Sequence, residues 1–157
     1  MRVIYRFLLS MPQWGITPLF FLLLLFIPNM IGNVIITFVP SLSDISNIPE
    51  LDSFYLKVIM VLIVAPILET IVFQLILFSI LKYILHLRTI AILALSSIIF
   101  GVVHCYNVLY IIVACVAGFL FMFLFIILNK RNLHPLLITI LVHFLLNAIT
   151  AVYDAQI

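Results

Sequence analysis

Charged side chains are scarce in this chain. Asp, Glu, Lys and Arg make up 8% of its 157 residues, whereas 68% of the residues are hydrophobic. A soluble domain has about 25% charged residues, which keep its surface in water. Seven basic and five acidic side chains cannot solubilise a chain of this length, so lipid must contact most of its surface. The sequence therefore predicts an all-α, polytopic transmembrane helix bundle that forms a single domain over residues 1–157, with the lipid bilayer as its surroundings.

Two further scarcities exclude other classes of protein. The net charge of +2 is small and spread along the chain, so there is no basic stripe for a nucleic acid partner. The two cysteines, Cys105 and Cys115, are too few for a disulfide framework. We expect both to be free thiols, buried as small apolar side chains.

Five apolar runs are candidates for membrane helices. A span needs about 20 mainly apolar residues, and the runs cover approximately 17–39, 54–85, 89–104, 108–128 and 136–152. The second run is long for one span and contains Pro66 in its middle, so we expect a tilted and kinked helix. In the first run, Asn29, Gly32 and Asn33 predict a small, polar face that turns toward the other helices.

The distribution of charge predicts how the helices cross the membrane. If five helices alternate in direction, one side of the membrane carries the basic residues Arg2, Arg6, Lys82, Arg88, Lys130 and Arg131. The acidic loop 40–53, with Asp44, Glu50 and Asp52, falls on the other side together with Asp154, and Lys57 is the exception there. Because basic residues favour the cytoplasmic side, we expect a multi-pass plasma membrane protein with a cytoplasmic N-terminus and an outside C-terminus.

A few polar side chains lie inside the predicted spans, where they are costly. A charge at the centre of a membrane helix costs about 2.5–3.5 kcal/mol on insertion scales. Glu69 is the only acidic residue inside a predicted span, His104 closes the third span, and His143 lies inside the fifth. Asn147 follows His143 by four residues, so both face the same side of one helix. We expect these side chains to turn inward and meet in one site.

A carboxylate and two imidazoles from three helices are compatible with several roles. Glu69 could act as a general base on water, with the histidines as donors to an oxyanion. Two histidines and a glutamate with an open position are also the ligand set of a hydrolytic zinc site. The remaining alternatives are a structural hydrogen-bonded cluster and a proton relay in a transporter.

Three motifs in this region resemble those of a known family. They are E-T-I-V-F-Q at 69–74, F-G-V-V-H at 100–104 and H-F-L-L-N at 143–147. Their order, spacing and helical placement resemble the E-E-x-x-x-R, F-x-x-x-H and H-x-x-x-N/D motifs of the CPBP or Abi family, which contains CAAX prenyl protease type II-like and bacteriocin-processing intramembrane proteases. The resemblance covers about 65–148, the motif-bearing core.

The resemblance implies an intramembrane endopeptidase that acts on a peptide or protein segment reaching it from the membrane. It implies that Glu69 activates water, that His104 helps to orient this water, and that His143 and Asn147 stabilise the oxyanion. Thr70, Gln74 and Phe100 occupy supporting motif positions. The mechanism with a glutamate base requires no cofactor. Members are also described as metalloendopeptidases, and in that alternative Glu69, His104 and His143 would hold zinc.

The first motif departs from the family pattern at two positions. Thr70 replaces the second glutamate and Gln74 replaces the arginine, so both members of an ion pair one helical turn apart are neutral. We expect Thr70 and Gln74 to form a hydrogen-bonded pair in its place. The change leaves open a non-catalytic protein of the same fold, with a role in bacteriocin immunity or regulation. A small proton-coupled transporter is a weaker alternative, because the chain shows no inverted repeat.

Overall fold

The computed structural model describes residues 2–43 and 54–154, and within these ranges all regular structure is helical. The all-α fold predicted from the sequence is therefore confirmed. Residues 44–53 and the side chains of Arg2 and Asp154 lie outside the described part of the chain, so the predicted acidic loop is described only at its start, where a short 3-10 turn covers Pro40–Ser43. The helices are α1 (Arg2–Ser10), α2 (Gln13–Phe38), α3 (Tyr55–Ile84), α4 (Thr89–Val103), α5 (Val108–Lys130) and α6 (Pro135–Asp154).

Within the described ranges, four helices are long and apolar enough to cross a membrane, namely α2, α3, α5 and α6. The fourth helix of the chain, α4, is equally apolar but has 15 residues. At a rise of about 1.5 Å per residue it reaches about 22 Å, short of the roughly 30 Å of a hydrocarbon core. The five predicted membrane helices are thus four of spanning length and one shorter helix, which confirms a multi-pass membrane bundle.

The central helix of the bundle is α5. Its side chains Met122, Leu124, Ile127 and Leu128 are fully buried, although the helix is long enough to span the bilayer. Helix α4 lies along one of its sides, and α2 and α6 pack against it elsewhere. Burial in lipid gives little drive for helix association, so this packing rests on close contact between side chains.

The short N-terminal helix α1 is a feature that the sequence did not predict. Leu8 is buried and Tyr5 packs beside it on the core formed by α2, α5 and α6. The ammonium group of Lys130 lies 5.0 Å from the centre of the Tyr5 ring, and the Arg131 guanidinium donates a hydrogen bond to the carbonyl of Met11. Helix α1 and the connector between α5 and α6 therefore lie at the same end of the bundle.

The predicted polar face of α2 is wrong in one respect. Gly32 is buried, but Asn29 and Asn33 are exposed. The amide of Asn29 donates to the carbonyl of Leu25 at 2.6 Å, one turn back in the same helix. Because an Asn can satisfy its amide on its own helix, it does not need to turn toward a neighbouring helix.

Helix α3 is continuous but alternates between two hydrogen-bond patterns. Segments Met60–Val64, Thr70–Ile76 and Ile80–Ile84 have the wider π pattern, and α-helical turns lie between them. In an α-helix a four-residue step advances about 40° beyond one full turn, whereas the wider π turn falls short of one turn. Alternation of the two therefore keeps a four-residue repeat on one face. That face is buried at Pro66, Thr70, Gln74 and Phe78, and also at Leu81, three residues after Phe78.

Candidate functional site

Three helices bring a carboxylate and two imidazoles together. Oε2 of Glu69 lies 3.5 Å from Nε2 of His104 and 3.7 Å from Nε2 of His143. Glu69 comes from the middle of α3, His104 follows the last residue of α4, and His143 lies inside α6. Their side chains are 24%, 15% and 8% exposed, respectively. The convergence expected from the sequence is thus present, with the carboxylate as the most accessible of the three groups.

The end of α4 fixes the ring of His104. The backbone amide of His104 donates to the carbonyl of Gly101 at 3.0 Å, and its Nδ1 lies 2.7 Å from the carbonyl oxygen of Phe100. A carbonyl can only accept a hydrogen bond, so Nδ1 must carry a proton. In the neutral ring Nε2 is then an acceptor, and this atom faces the carboxylate of Glu69.

The ring of Phe100 packs against the ring of His104. Its ring centre is 4.4 Å from that of His104, and the ring of Phe73 contacts it edge-on at 5.2 Å. Gly118 of α5 lies directly against it, because a Cβ added at Gly118 would be 2.6 Å from Cβ of Phe100. Close approach of α5 therefore sets the position of Phe100, and through it the position of His104.

His143 is the most buried member of the cluster. Its ring lies 4.6 Å from the ring of Phe121, and its Nδ1 has no hydrogen-bond partner among the described residues. A proton on Nδ1 would have no acceptor among the described residues, whereas a proton on Nε2 points toward the carboxylate of Glu69. Hydrogen bonding therefore favours the tautomer in which Nε2 of His143 is a donor.

The two acceptors in this cluster face each other across a short gap. The 3.5 Å between Glu69 Oε2 and His104 Nε2 is longer than an ordinary hydrogen bond of about 2.7–3.2 Å. Without a proton between them, a carboxylate oxygen and a bare imidazole nitrogen repel each other. The gap suits either a shared proton or a water molecule that donates one O–H to each acceptor.

Asn147 lies on the same helix as His143 but has a different partner. Its Nδ2 donates to the backbone carbonyl of Val61 in α3 at 2.8 Å. Val61 carries no polar side chain, so no sequence motif marks it. The only sequence signal for this contact is Pro66 five residues later, which has no N–H to donate.

The two altered motif positions are buried on the inner face of α3. Thr70 is 0% exposed and Gln74 is 2% exposed, but Thr70 Oγ1 and Gln74 Oε1 have no hydrogen-bond partner within the described residues. The hydrogen bond expected between them is therefore absent. Both residues belong to the π segment Thr70–Ile76 of α3.

The zinc alternative stays a prediction. Among the residues that the structure describes, no group of three or more His, Cys, Asp or Glu side chains is arranged to hold a metal ion. A metal-binding histidine usually donates its second ring N–H to a carbonyl or carboxylate. His104 has such a partner, but Nδ1 of His143 has none.

Comparison with known proteins identifies a family for most of the chain. The family model described as "Type II CAAX prenyl endopeptidase Rce1-like" matches residues 51–149. This region contains α3 to α6 and all members of the cluster. No curated protein and no solved structure matches the chain.

Proposed function

Because this chain belongs to the Rce1-like family of type II CAAX prenyl endopeptidases, we propose that it hydrolyses a peptide bond inside the membrane with water activated by Glu69. Proteases form this family, so peptide hydrolysis is the activity expected at family level. One observation carries the proposal for this chain. A single carboxylate oxygen lies within 3.7 Å of imidazole nitrogens from two other helices, in a bundle where such groups are rare.

In the proposed first step, a water molecule binds between Glu69 and His104. It donates one O–H to each acceptor, which leaves a lone pair of its oxygen free to attack a peptide carbonyl carbon. Glu69 takes the proton as the new C–O bond forms. His104 holds the water in orientation, because its own ring is fixed by the Phe100 carbonyl.

The attack turns the carbonyl oxygen of the tetrahedral intermediate into an oxyanion, which accepts a hydrogen bond from Nε2–H of His143. In the proposed second step, this intermediate collapses and the carbonyl re-forms. The C–N bond then breaks, and the proton held by Glu69 passes to the leaving amine. This returns Glu69 to its carboxylate form and releases two peptide fragments. The oxyanion role expected of Asn147 stays a prediction.

A substrate would reach Glu69 from the outer side of α3. Leu68 and Val72, on either side of Glu69 in the sequence, are 56% and 45% exposed, and Val103 beside His104 is exposed as well. These apolar positions face lipid in a membrane bundle. We therefore propose a peptide or protein segment that approaches through the bilayer as the substrate.

Substitution of Glu69 by Gln tests the proposal. Gln keeps the shape of the side chain but cannot accept the proton, so we expect kcat to fall by about 10²- to 10⁴-fold. The measurement is cleavage of quenched fluorescent peptides in proteoliposomes, with a farnesylated CAAX peptide and the same peptide without the lipid. Glu50→Gln, at the only other glutamate of the chain, is the matched control and should cleave at the unsubstituted rate. Equal cleavage by the Glu69→Gln variant would exclude the mechanism.

One observation favours a second candidate, a non-catalytic membrane protein of the same fold. The buried oxygens of Thr70 and Gln74 have no partner among the described residues, so nothing in that part of the chain replaces the ion pair of the family motif. In this case the unsubstituted protein would cleave no peptide. Any protective or regulatory effect on cells would persist in the Glu69→Gln variant.

A further inference from the structure

One backbone carbonyl of α3 has lost its partners within the helix. In an α-helix the carbonyl of Val61 would accept from the N–H of Ala65, but that N–H donates to the carbonyl of Met60 in the π segment. In the π pattern its partner would be the N–H of residue 66. This residue is Pro66, which has no N–H. An unpaired carbonyl in a lipid environment costs several kcal/mol.

Asn147 of α6 supplies the missing donor. Its Nδ2 lies 2.8 Å from the Val61 carbonyl oxygen, which is a normal hydrogen-bond distance. The bond joins two helices that are 86 positions apart in sequence. Because Pro66 has no N–H, the carbonyl is free for a partner from outside the helix.

This bond and the site contact join the same two helices at different heights. Glu69 of α3 meets His143 of α6, while Val61 of α3 meets Asn147 of α6. Val61 lies eight residues before Glu69, about 12 Å along the axis, and Asn147 lies four residues beyond His143, about 6 Å. Two attachment points fix both the rotation and the height of α6 against α3. With only one, α6 could turn or slide and change the distance between His143 and Glu69.

We infer that Asn147 is a positioning residue, which holds His143 at its distance from Glu69 by capping the backbone carbonyl that Pro66 leaves free. This inference rests on the proposed function for its effect on catalysis. It also gives Pro66 a role, which is to leave the Val61 carbonyl free for Asn147. It differs from a role in which the amide of Asn147 donates to the oxyanion, because an oxyanion donor would not depend on residue 66.

A double-substitution cycle separates the two roles. Asn147→Leu keeps the size of the side chain but removes the donor, and Pro66→Ala gives the Val61 carbonyl a partner from its own helix. We expect each change alone to lower kcat by about 10- to 100-fold, since a displacement of about 1 Å can cost about 100-fold. The double variant should match the slower single variant within about threefold. Effects that multiply instead would overturn the inference.

Thermal unfolding of the purified variants in detergent gives the second measurement. The losses in Tm for Pro66→Ala and Asn147→Leu should also be less than additive, whether or not a peptide is cleaved. If the unsubstituted protein is inactive, the proposed function fails while this cycle still tests the contact. Additive losses in Tm would refute the contact itself. A purely structural role would lower Tm but leave kcat per folded molecule unchanged.

Helix α2 offers matched controls for both substitutions. Pro28 is a second buried proline inside a membrane helix, and Asn29 donates its amide to a carbonyl of its own helix. Asn29→Leu should leave kcat unchanged. Pro28→Ala combined with Asn147→Leu should give effects that multiply, because no carbonyl freed by Pro28 is paired with Asn147. A coupling as strong as that with Pro66 would show that the effect is not local.

Discussion

At the scale of single residues, the position of one proton determines what the cluster can do. The Phe100 carbonyl requires a proton on Nδ1 of His104, and this leaves Nε2 as an acceptor toward Glu69. Two acceptors at 3.5 Å can both be satisfied by the two O–H groups of one water molecule. The backbone at the end of α4 thus sets the chemistry of a side chain atom at the other end of the ring.

This proton arrangement predicts an order of activity for substitutions at His104. His104→Gln can place its side-chain oxygen near the position of Nε2 and accept from the water, whereas His104→Ala leaves no acceptor. We expect kcat to fall by about 100-fold or more for Ala, within the usual contribution of one acid–base group, and by clearly less for Gln. The measurement is initial rates on the same fluorescent peptides. Equal rates for the two variants would show that an acceptor at this position is not needed.

At the scale of helices, the crossing of α4 and α5 depends on two glycines. A Cβ at Gly118 would meet Phe100 at 2.6 Å, and a Cβ at Gly101 would overlap Sγ of Cys115. Small residues let membrane helices approach closely, which lipid alone does not favour. Because Phe100 contacts Gly118 on one side and His104 on the other, this crossing also determines where the imidazole lies.

Gly118→Ala should therefore displace His104 indirectly, through Phe100. Insertion of a methyl group into a packed contact costs about 1–3 kcal/mol, and the relief available is a shift of Phe100 together with His104. We expect a lower Tm and a loss of activity of about tenfold, measured by thermal unfolding and by peptide cleavage. Gly32→Ala is the matched control, because its Cβ would lie 3.4 Å from Cγ2 of Val113, an ordinary contact. The prediction is contradicted if both variants behave alike.

The sequence predicted the membrane helices and the convergence of Glu69, His104 and His143, because the cost of polar groups in lipid is visible in composition. It did not predict the π segments of α3. In a helix surrounded by lipid, hydrophobic residues occupy every face, so a change of hydrogen-bond pattern leaves no mark in hydropathy. It predicted a kink at Pro66, but not that the carbonyl of Val61, five residues earlier, bonds to another helix.

The missed helix α1 has a similar physical explanation. With nine residues it is shorter than the roughly 12–15 residues that make an isolated helix stable. Its order depends on contacts with distant parts of the chain, namely those of Tyr5 with Lys130 and of Met11 with Arg131. Such contacts are set by tertiary packing, which a local pattern does not contain.

At the scale of the whole molecule, the site lies deep between the ends of its helices. Glu69 is halfway along the 30 residues of α3. Helix α4 ends at this depth, since His104 is the residue that follows its last turn. The 15 residues of α4 thus place its last turn, and the imidazole that follows it, at the depth of the carboxylate.

The arrangement of the helices predicts which segments share a side of the membrane. The contacts of α1 with the connector between α5 and α6 place Ser10 and Asn132 on one side, while Ser41 follows the far end of the spanning helix α2. The basic residues near Ser10 and Asn132 favour the cytoplasmic side for both.

In a variant without native cysteines (Cys105→Ser with Cys115→Ala), we introduce Ser10→Cys, Asn132→Cys or Ser41→Cys singly and treat intact cells with a membrane-impermeant maleimide. We expect labelling of the Ser41→Cys variant alone, and labelling of the other two only after the cells are opened. Labelling of Ser10→Cys and Asn132→Cys from opposite sides would contradict the packing of α1. Labelling of both in intact cells would instead keep that packing and reverse the orientation that the basic residues predict.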